Sequence, residues 1–189
     1  MSRMGIFGGS FDPPTQAHYL MARKAVAALK LDLLLLIPAY RAPLKASAPA
    51  SSVEHRLDML QLLALSVPEA RIDLSEINKG REVSTWETVQ QIMSEQGAAD
   101  YHLIIGGDQA AQFERWENWQ QLLSVVNVIW FTRVGYIPSA VLTGKGSEIA
   151  LDEGGSSRKI RSMIKKGEDV SGLLMPEMLS YIKRKGLYR

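Results

Sequence analysis

"GIFGGSFDPPTQAHYL" occupies Gly5–Leu20 and joins two unlike patterns. Before it closes, Met4 to Phe7 forms a short apolar run stopped by Gly8 and Gly9, which reads as a strand. From Thr15, apolar residues recur at Ala17, Met21, Ala25 and Ala28 or Leu29, the spacing of one helix face. Thr15 suits the N-cap, because its hydroxyl can accept a bond from an early helical N–H. A strand that turns through glycine into a helix is the first half of a strand-helix-strand unit, and the rest of the chain repeats the alternation.

Leu33 to Ile37 is a continuous apolar run stopped by Pro38, as expected of a strand covered on both faces. Ser51 and Glu54 have the spacing of a capping box before the helix "HRLDMLQLLAL". "ARIDLSEI", Ala70 to Ile77, alternates polar and apolar residues like a half-buried strand. Ser84 and Glu87 make a second capping-box pattern, opening a helix to about Gln96. "YHLII" and "NVIWF" are two further strands, and "SRKIRSMIKK" and "PEMLSYIKRK" are two C-terminal helices. Ala39 to Ser52 and Gly135 to Gly155 are the least patterned stretches. The expected fold is α/β: one Rossmann-like, doubly wound domain over residues 1–189, with a mostly parallel sheet. The last helices, from about 156 to 189, are expected to pack as a C-terminal subdomain.

Composition narrows the class. The chain has 189 residues, enough for one α/β domain with a sizeable core. Lys plus Arg is 22 and Asp plus Glu is 20, a net charge of +2, which argues against nucleic acid as a partner. Cysteine is absent, so disulfides and thiolate metal sites are excluded. Three scattered histidines do not suggest zinc, and His55 and His102 are read as structural. No apolar run approaches membrane-spanning length. These features point to a cytoplasmic protein, with no membrane partner. They leave the oligomeric state open, a homo-oligomer included.

The turn itself suggests a ligand. In open parallel sheets, ligands bind beyond the carboxyl ends of the strands. Gly8 and Gly9 let the backbone turn sharply, so the N–H groups of Gly8, Gly9, Ser10 and Phe11 can point at an anion. The following helix presents its positive end to the same place. His18 lies three residues after Thr15 and shares its face in the first turn. A polyphosphate fits this arrangement; a tight strand-to-helix turn with a partly exposed histidine fits it equally. Neither G-x-x-x-x-G-K-[ST] nor G-x-G-x-x-G occurs after the first strand.

Gly8, Gly9, Ser10, Phe11, Asp12, Pro13, Thr15 and His18 match the G-G-[ST]-F-D-P-x-[HT]-x-G-H signature, so the stretch resembles the nucleotidyltransferase superfamily. Ala17 stands where that signature has glycine. Four more stretches resemble the bacterial nicotinate mononucleotide adenylyltransferase family. They are "IPAYRAPLK" (Pro38, Pro43, Lys45), "EINKGREVSTWETV" (Glu76, Gly80, Thr85, Thr88), "LIIGGDQAAQFERWENWQQLL" (Gly106, Asp108, Phe113, Trp116) and "SSRKIR" (Ser156, Ser157, Ile160, Arg161). Leu44, Ser84 and Arg158 depart from the family pattern.

The resemblance implies attack of a mononucleotide phosphate on the α-phosphorus of ATP, expelling pyrophosphate. ATP and nicotinate mononucleotide are then the small-molecule partners, and Mg²⁺ is the cofactor, bound through the ATP phosphates. It also implies the roles. His18, Lys45 and Arg161 act in catalysis. Gly8, Gly9, Ser10, Phe11, Thr15, His18, Gly106, Asp108, Ser157 and Arg161 bind ATP. Thr85, Asp108 and Trp116 hold the pyridine nucleotide. Ser157 is expected to open and cap the first C-terminal helix. No metal site made of protein side chains is expected, and Asp12 is read as a loop cap. Trp116 and Trp119, three apart, could share one helix face in the core. Two other functions remain at this point: an adenylyltransferase for another phosphate monoester, such as nicotinamide mononucleotide or phosphopantetheine, and a nucleotide-binding regulator without turnover.

Overall fold

A computed structural model describes residues 1–41, 48–151 and 155–189. Six strands alternate with helices along the chain: β1 (Arg3–Gly9), α1 (Gln16–Leu29), β2 (Leu33–Pro38), α2 (Val53–Leu65), β3 (Ala70–Ile72), α3 (Ser75–Lys79), α4 (Thr85–Gln96), β4 (Asp100–Gly106), α5 (Gly107–Ala110), α6 (Trp119–Val125), β5 (Asn127–Phe131), β6 (Gly146–Ile149), α7 (Ser157–Lys165) and α8 (Pro176–Lys185). The strands form one sheet in the order β3-β2-β1-β4-β5-β6, and every described pairing is parallel. That is the Rossmann-like, doubly wound arrangement, parallel throughout rather than mostly so.

Strand order reverses between β1 and β4, which pair from Arg3–Asp100 to Ile6–Leu103. The crevice of such a sheet opens at this switch point, beyond the carboxyl ends of the two strands. Past the Ile6–Leu103 pair β1 and β4 part. The strand runs through both glycines rather than stopping before them, with Gly8 and Gly9 still paired to Ile37 and Pro38 of β2 and Gly106 to Phe131 of β5, and the turn begins at Ser10.

Each face of the sheet is covered. On one, Phe7, Leu34, Leu36 and Ile104 pack under Met21, Ala22 and Ala25 of α1 and Leu60 and Leu63 of α2. On the other, Ile6, Leu35, Leu103 and Val128 pack under Val89 and Ile92 of α4 and Leu122 of α6. A third cluster joins Met59 of α2 to Ile160 of α7 and Met178, Tyr181 and Ile182 of α8. Among the described residues no helix is long and apolar enough to cross a membrane.

Several local expectations are corrected. "ARIDLSEI" is a strand only to Ile72: the Ser75 N–H donates to Asp73 Oδ1 at 2.8 Å, an Asx turn that ends the strand and starts α3. The cap of α2 is Ser52, which accepts from the His55 N–H; Ser51 is occupied elsewhere. Ser84 caps α4 as expected, but Glu87 does not return to it. Instead the Glu87 carboxylate pairs with Arg81 and Lys79, which hold its pKa down at about 2. Gly135 to Gly155 contains β6, a four-residue border strand whose sequence carries little apolar signal. A side chain at Gly146 would meet Trp130 Cζ3 at 2.6 Å, so the close approach of β6 to β5 requires glycine there. Trp116 and Trp119 do not share a helix: Trp116 ends a short 3₁₀ turn and Trp119 opens α6.

Candidate active site

The turn after β1 is held from three sides. Thr15 caps α1 with its hydroxyl, and its own N–H donates to His18 Nδ1 at 2.9 Å. Thr15 Oγ1 lies 2.8 Å from the same nitrogen. A backbone N–H can only donate, so Nδ1 is an acceptor and the neutral ring carries its proton on Nε2. The capping box of α1 therefore fixes both the position and the tautomer of the imidazole.

Phe11 supports the ring from behind. It is fully buried, edge-on to His18 at 5.2 Å and to Phe7 at 5.6 Å between centroids. Its φ is 46°, the left-handed region that costs an L-residue roughly 1–3 kcal/mol. Burial of a phenylalanine side chain offsets that strain. At Gly8 an added Cβ would meet nothing within 4 Å, so open space lies beside the turn.

Asp12 is 2% exposed. Its carboxylate accepts from the Ala50 N–H, the Ser51 N–H and hydroxyl, and the Tyr188 hydroxyl at 2.7 Å. The expectation that Asp12 caps a loop is met in an extended form, because it ties the turn to residues 50–51 and to the end of the chain. Arg161 reaches the same residue from α7: Nη1 donates to the Asp12 carbonyl at 2.6 Å and lies 3.8 Å from Oδ2. Ser157 donates to the Pro13 carbonyl at 2.8 Å. It is not the cap of α7; Ser156 is, accepting from the Lys159 N–H at 3.1 Å. The start of α7 is thus brought against the turn that precedes α1, and two helix N-termini converge on one crevice.

Two residues of the site have no role assigned from the sequence. Arg56, 1% exposed, donates through Nη1 to the carbonyls of Ser10 at 3.0 Å and Ala39 at 2.7 Å. Burial lowers its pKa, and Asp12 opposes that shift. A signal existed: Arg56 stands in the α2 stripe that contains Met59, Leu60 and Leu63, where a cation needs a buried partner. The second is Tyr188. Burial is the main cause raising its pKa, and the Asp12 charge adds to it.

The other expected residues lie across the switch point. Asp108, in the first turn of α5, faces Arg133 Nη1 at 3.4 Å. Trp116 packs against Phe113 with the rings tilted by 36° and their centroids 5.2 Å apart, and joins the cluster under α4 and α6, while Thr85 begins α4. Trp116 and the helix that Thr85 begins belong to the face opposite α1. Glu76 and Thr88 are buried together, with Thr88 Oγ1 donating to Glu76 Oε1 at 2.7 Å. Pro43, Leu44 and Lys45 lie outside the described residues.

A parallel sheet whose switch point carries a bare turn, an oriented imidazole and an arginine has the form of a nucleotidyltransferase. The cytidylyltransferase-like family model matches residues 6–166. A probable nicotinate-nucleotide adenylyltransferase of Chromobacterium violaceum is 32% identical over 210 residues, covering 100% of this chain and 99% of that one. Its counterpart from Gemmatimonas aurantiaca is 35% identical over 196 residues, covering 99% and 92%. Nicotinic acid mononucleotide adenylyltransferase of Plasmodium falciparum, solved with NaAD, shares the fold at a TM-score of 0.82 and 19% identity, covering 100% and 98%. The chain belongs to the cytidylyltransferase-like family and, within it, to the nicotinate-nucleotide adenylyltransferases.

Proposed function

We propose that the protein transfers the AMP group of ATP to nicotinate mononucleotide, forming nicotinate adenine dinucleotide and releasing pyrophosphate. The observation that carries this reading is the bond from the Thr15 N–H to His18 Nδ1, which keeps the proton of the neutral ring on Nε2 as a donor in the first turn of α1. The family of the chain supplies the substrates.

The chemistry asks for little beyond placement. A phosphate monoester has its second pKa near ~6, so the attacking phosphate is mostly dianionic at neutral pH and needs no general base. One of its oxygens bonds to the α-phosphorus as the bond from that phosphorus to the β-phosphate bridging oxygen breaks. Pyrophosphate leaves with the electron pair. The obstacle is charge, so positioned donors do the work. His18 Nε2–H donates to a triphosphate oxygen. The amides of Gly8, Gly9, Ser10 and Phe11 and the α1 terminus, capped by Thr15, cradle the chain of phosphates. Arg161 and Ser157 bring positive charge and the α7 terminus to the same chain. Lys45 adds a point charge. Asp108, after Gly106, accepts from ribose hydroxyls, Trp116 stacks on the pyridine ring, and Thr85 helps fix its carboxylate. Trp116 and α4 pack on the face of the sheet opposite α1, which suits a dinucleotide straddling the switch point.

Enzymes of this family act with a divalent metal and ATP, and Mg²⁺ is the ion proposed here. Among the described residues no group of three or more His, Cys, Asp or Glu could hold a metal. The Asp12 carboxylate is already engaged by four donors. This donor set suits an ion held by phosphate oxygens and its own waters, with the protein gripping the phosphates. Bound there, it would neutralise phosphate charge.

The test is pyrophosphate release from ATP with each of three acceptors: nicotinate mononucleotide, nicotinamide mononucleotide and phosphopantetheine. Release should be well above the others with the first. Preference for another acceptor would move the assignment to a related adenylyltransferase. ATP binding with no release for any acceptor would make the protein a regulator.

A further inference from the structure

The Asp12 carboxylate draws its donors from two distant parts of the chain. Ala50 and Ser51 lie just before α2, and Tyr188 lies beyond α8. The path of the chain to Tyr188 is built rather than loose. Gly186 and Tyr188 have left-handed φ values of 63° and 66°, and the Leu187 N–H returns to the Ile182 carbonyl at 3.1 Å. That turn directs the phenol back over α2, where its hydroxyl lies 3.9 Å from Met59 Sδ and 3.3 Å from Ser51 Oγ. Leu187 and Tyr188 pack on the cluster that binds α8 to α2.

A carboxylate that is 2% exposed has no solvent to replace a lost donor. The donors on Asp12 therefore decide where the residue can sit. Asp12 in turn carries the carbonyl that Arg161 grips and lies next to Phe11 in the turn. Burial and the neighbouring Asp12 charge both keep the phenol protonated, so it remains a donor at neutral pH.

We propose that Tyr188 is a positioning residue for the reaction: its hydroxyl, acting through Asp12, sets the shape of the turn that receives the ATP phosphates and the placement of Arg161 against it. The proposal rests on the functional reading above. It gives residues that follow the last helix a part in the site, although Tyr188 need not touch either substrate.

Two variants separate positioning from simple docking of α8. Tyr188→Phe keeps the ring and its packing and removes only the donor to Asp12. Tyr181→Phe removes a hydroxyl on α8 that donates to Asp58 Oδ2 at 2.7 Å and lies 2.8 Å from His55 Nδ1, without touching Asp12. Amide hydrogen exchange at Ala50 and Ser51 reads the Asp12 bonds directly, calorimetry gives the ATP Kd, and pyrophosphate release gives kcat and KM. In Tyr188→Phe, exchange at both amides should rise about tenfold and ATP binding should weaken by about tenfold, matched by a rise in KM for ATP. Tyr181→Phe should leave all of these within twofold of the parent. Unchanged exchange and ATP affinity in Tyr188→Phe, or equal changes in both variants, would overturn the proposal. A parent protein that releases no pyrophosphate would defeat the functional reading instead, and the exchange at Ala50 and Ser51 would still decide whether Tyr188 holds Asp12.

Discussion

At the scale of single residues, His18 serves the helix and the site with different atoms. Nδ1 closes the α1 cap, and the proton of the neutral ring stays on Nε2 as a donor. His18→Ala should therefore show two separate losses. Turnover should drop roughly 10²-fold or more, because a positioned donor at developing charge is gone. Stability in urea should fall by about 1 kcal/mol, because half of the capping box is gone, while the protein stays folded. Gly8 gives the complementary case. Its missing Cβ faces empty space, so Gly8→Ala should melt within a degree or two of the parent while KM for ATP rises at least about tenfold. A large fall in Tm would show that the turn needs glycine for folding rather than for a ligand. The signature around Gly8, Gly9 and His18 was readable because each residue type there has a backbone or hydrogen-bonding reason. The bonds of Arg56 to Ser10 and of Tyr188 to Asp12 were not, because they span 46 and 176 residues and only the fold brings their ends together, although the place of Arg56 in an apolar stripe signals that it needs a buried partner.

At the scale of elements, α3 and α4 are locked by a buried acid. Burial raises the Glu76 pKa above its ordinary value of 4.5, against the opposing bond from Thr88. The folded state then binds more protons than the unfolded one, so this group contributes stability at low pH that is lost as pH rises through its raised value. Glu76→Gln keeps an acceptor for the Thr88 hydroxyl and removes the ionisation. Urea titrations from pH 4.5 to 8 should show the variant gaining on the parent as pH rises; a constant difference would remove Glu76 from the pH dependence. Long helices such as α1 were legible because their apolar spacing extends over many residues, and buried strands such as β5 because their apolar runs are unbroken. The capping boxes at Ser51 and Ser84 were half legible. Spacing alone cannot show that Ser51 is drawn to Asp12 or that Glu87 is drawn to Arg81. β6 was invisible, because a border strand of "GSEI" needs neither strong apolarity nor period-two contrast.

At the scale of the whole molecule, α8 is bound to α2 through apolar contacts as well as through the Asp12 hub. Met178, 1% exposed, packs in the cluster with Met59 and Ile160. Met178→Ala should cost about 2–5 kcal/mol, read by urea unfolding. Far-UV circular dichroism and tryptophan fluorescence should still trace one transition, since Met59 links this cluster to α2 on the sheet. Two separated transitions would mean that the C-terminal helices unfold independently. The order of the strands was not legible; the alternation of elements implied a parallel sheet, and only the structure gives β3-β2-β1-β4-β5-β6.

That order assigns the two outermost places to the shortest strands, three residues in β3 and four in β6. A foreign strand seeking to add itself to either flank finds very few free rungs, and on β6 it also meets the exposed Glu148. The topology that makes a nucleotide crevice in the middle of the sheet thus also protects its flanks from cross-β association, and crowded solutions of the folded protein should stay free of fibrils.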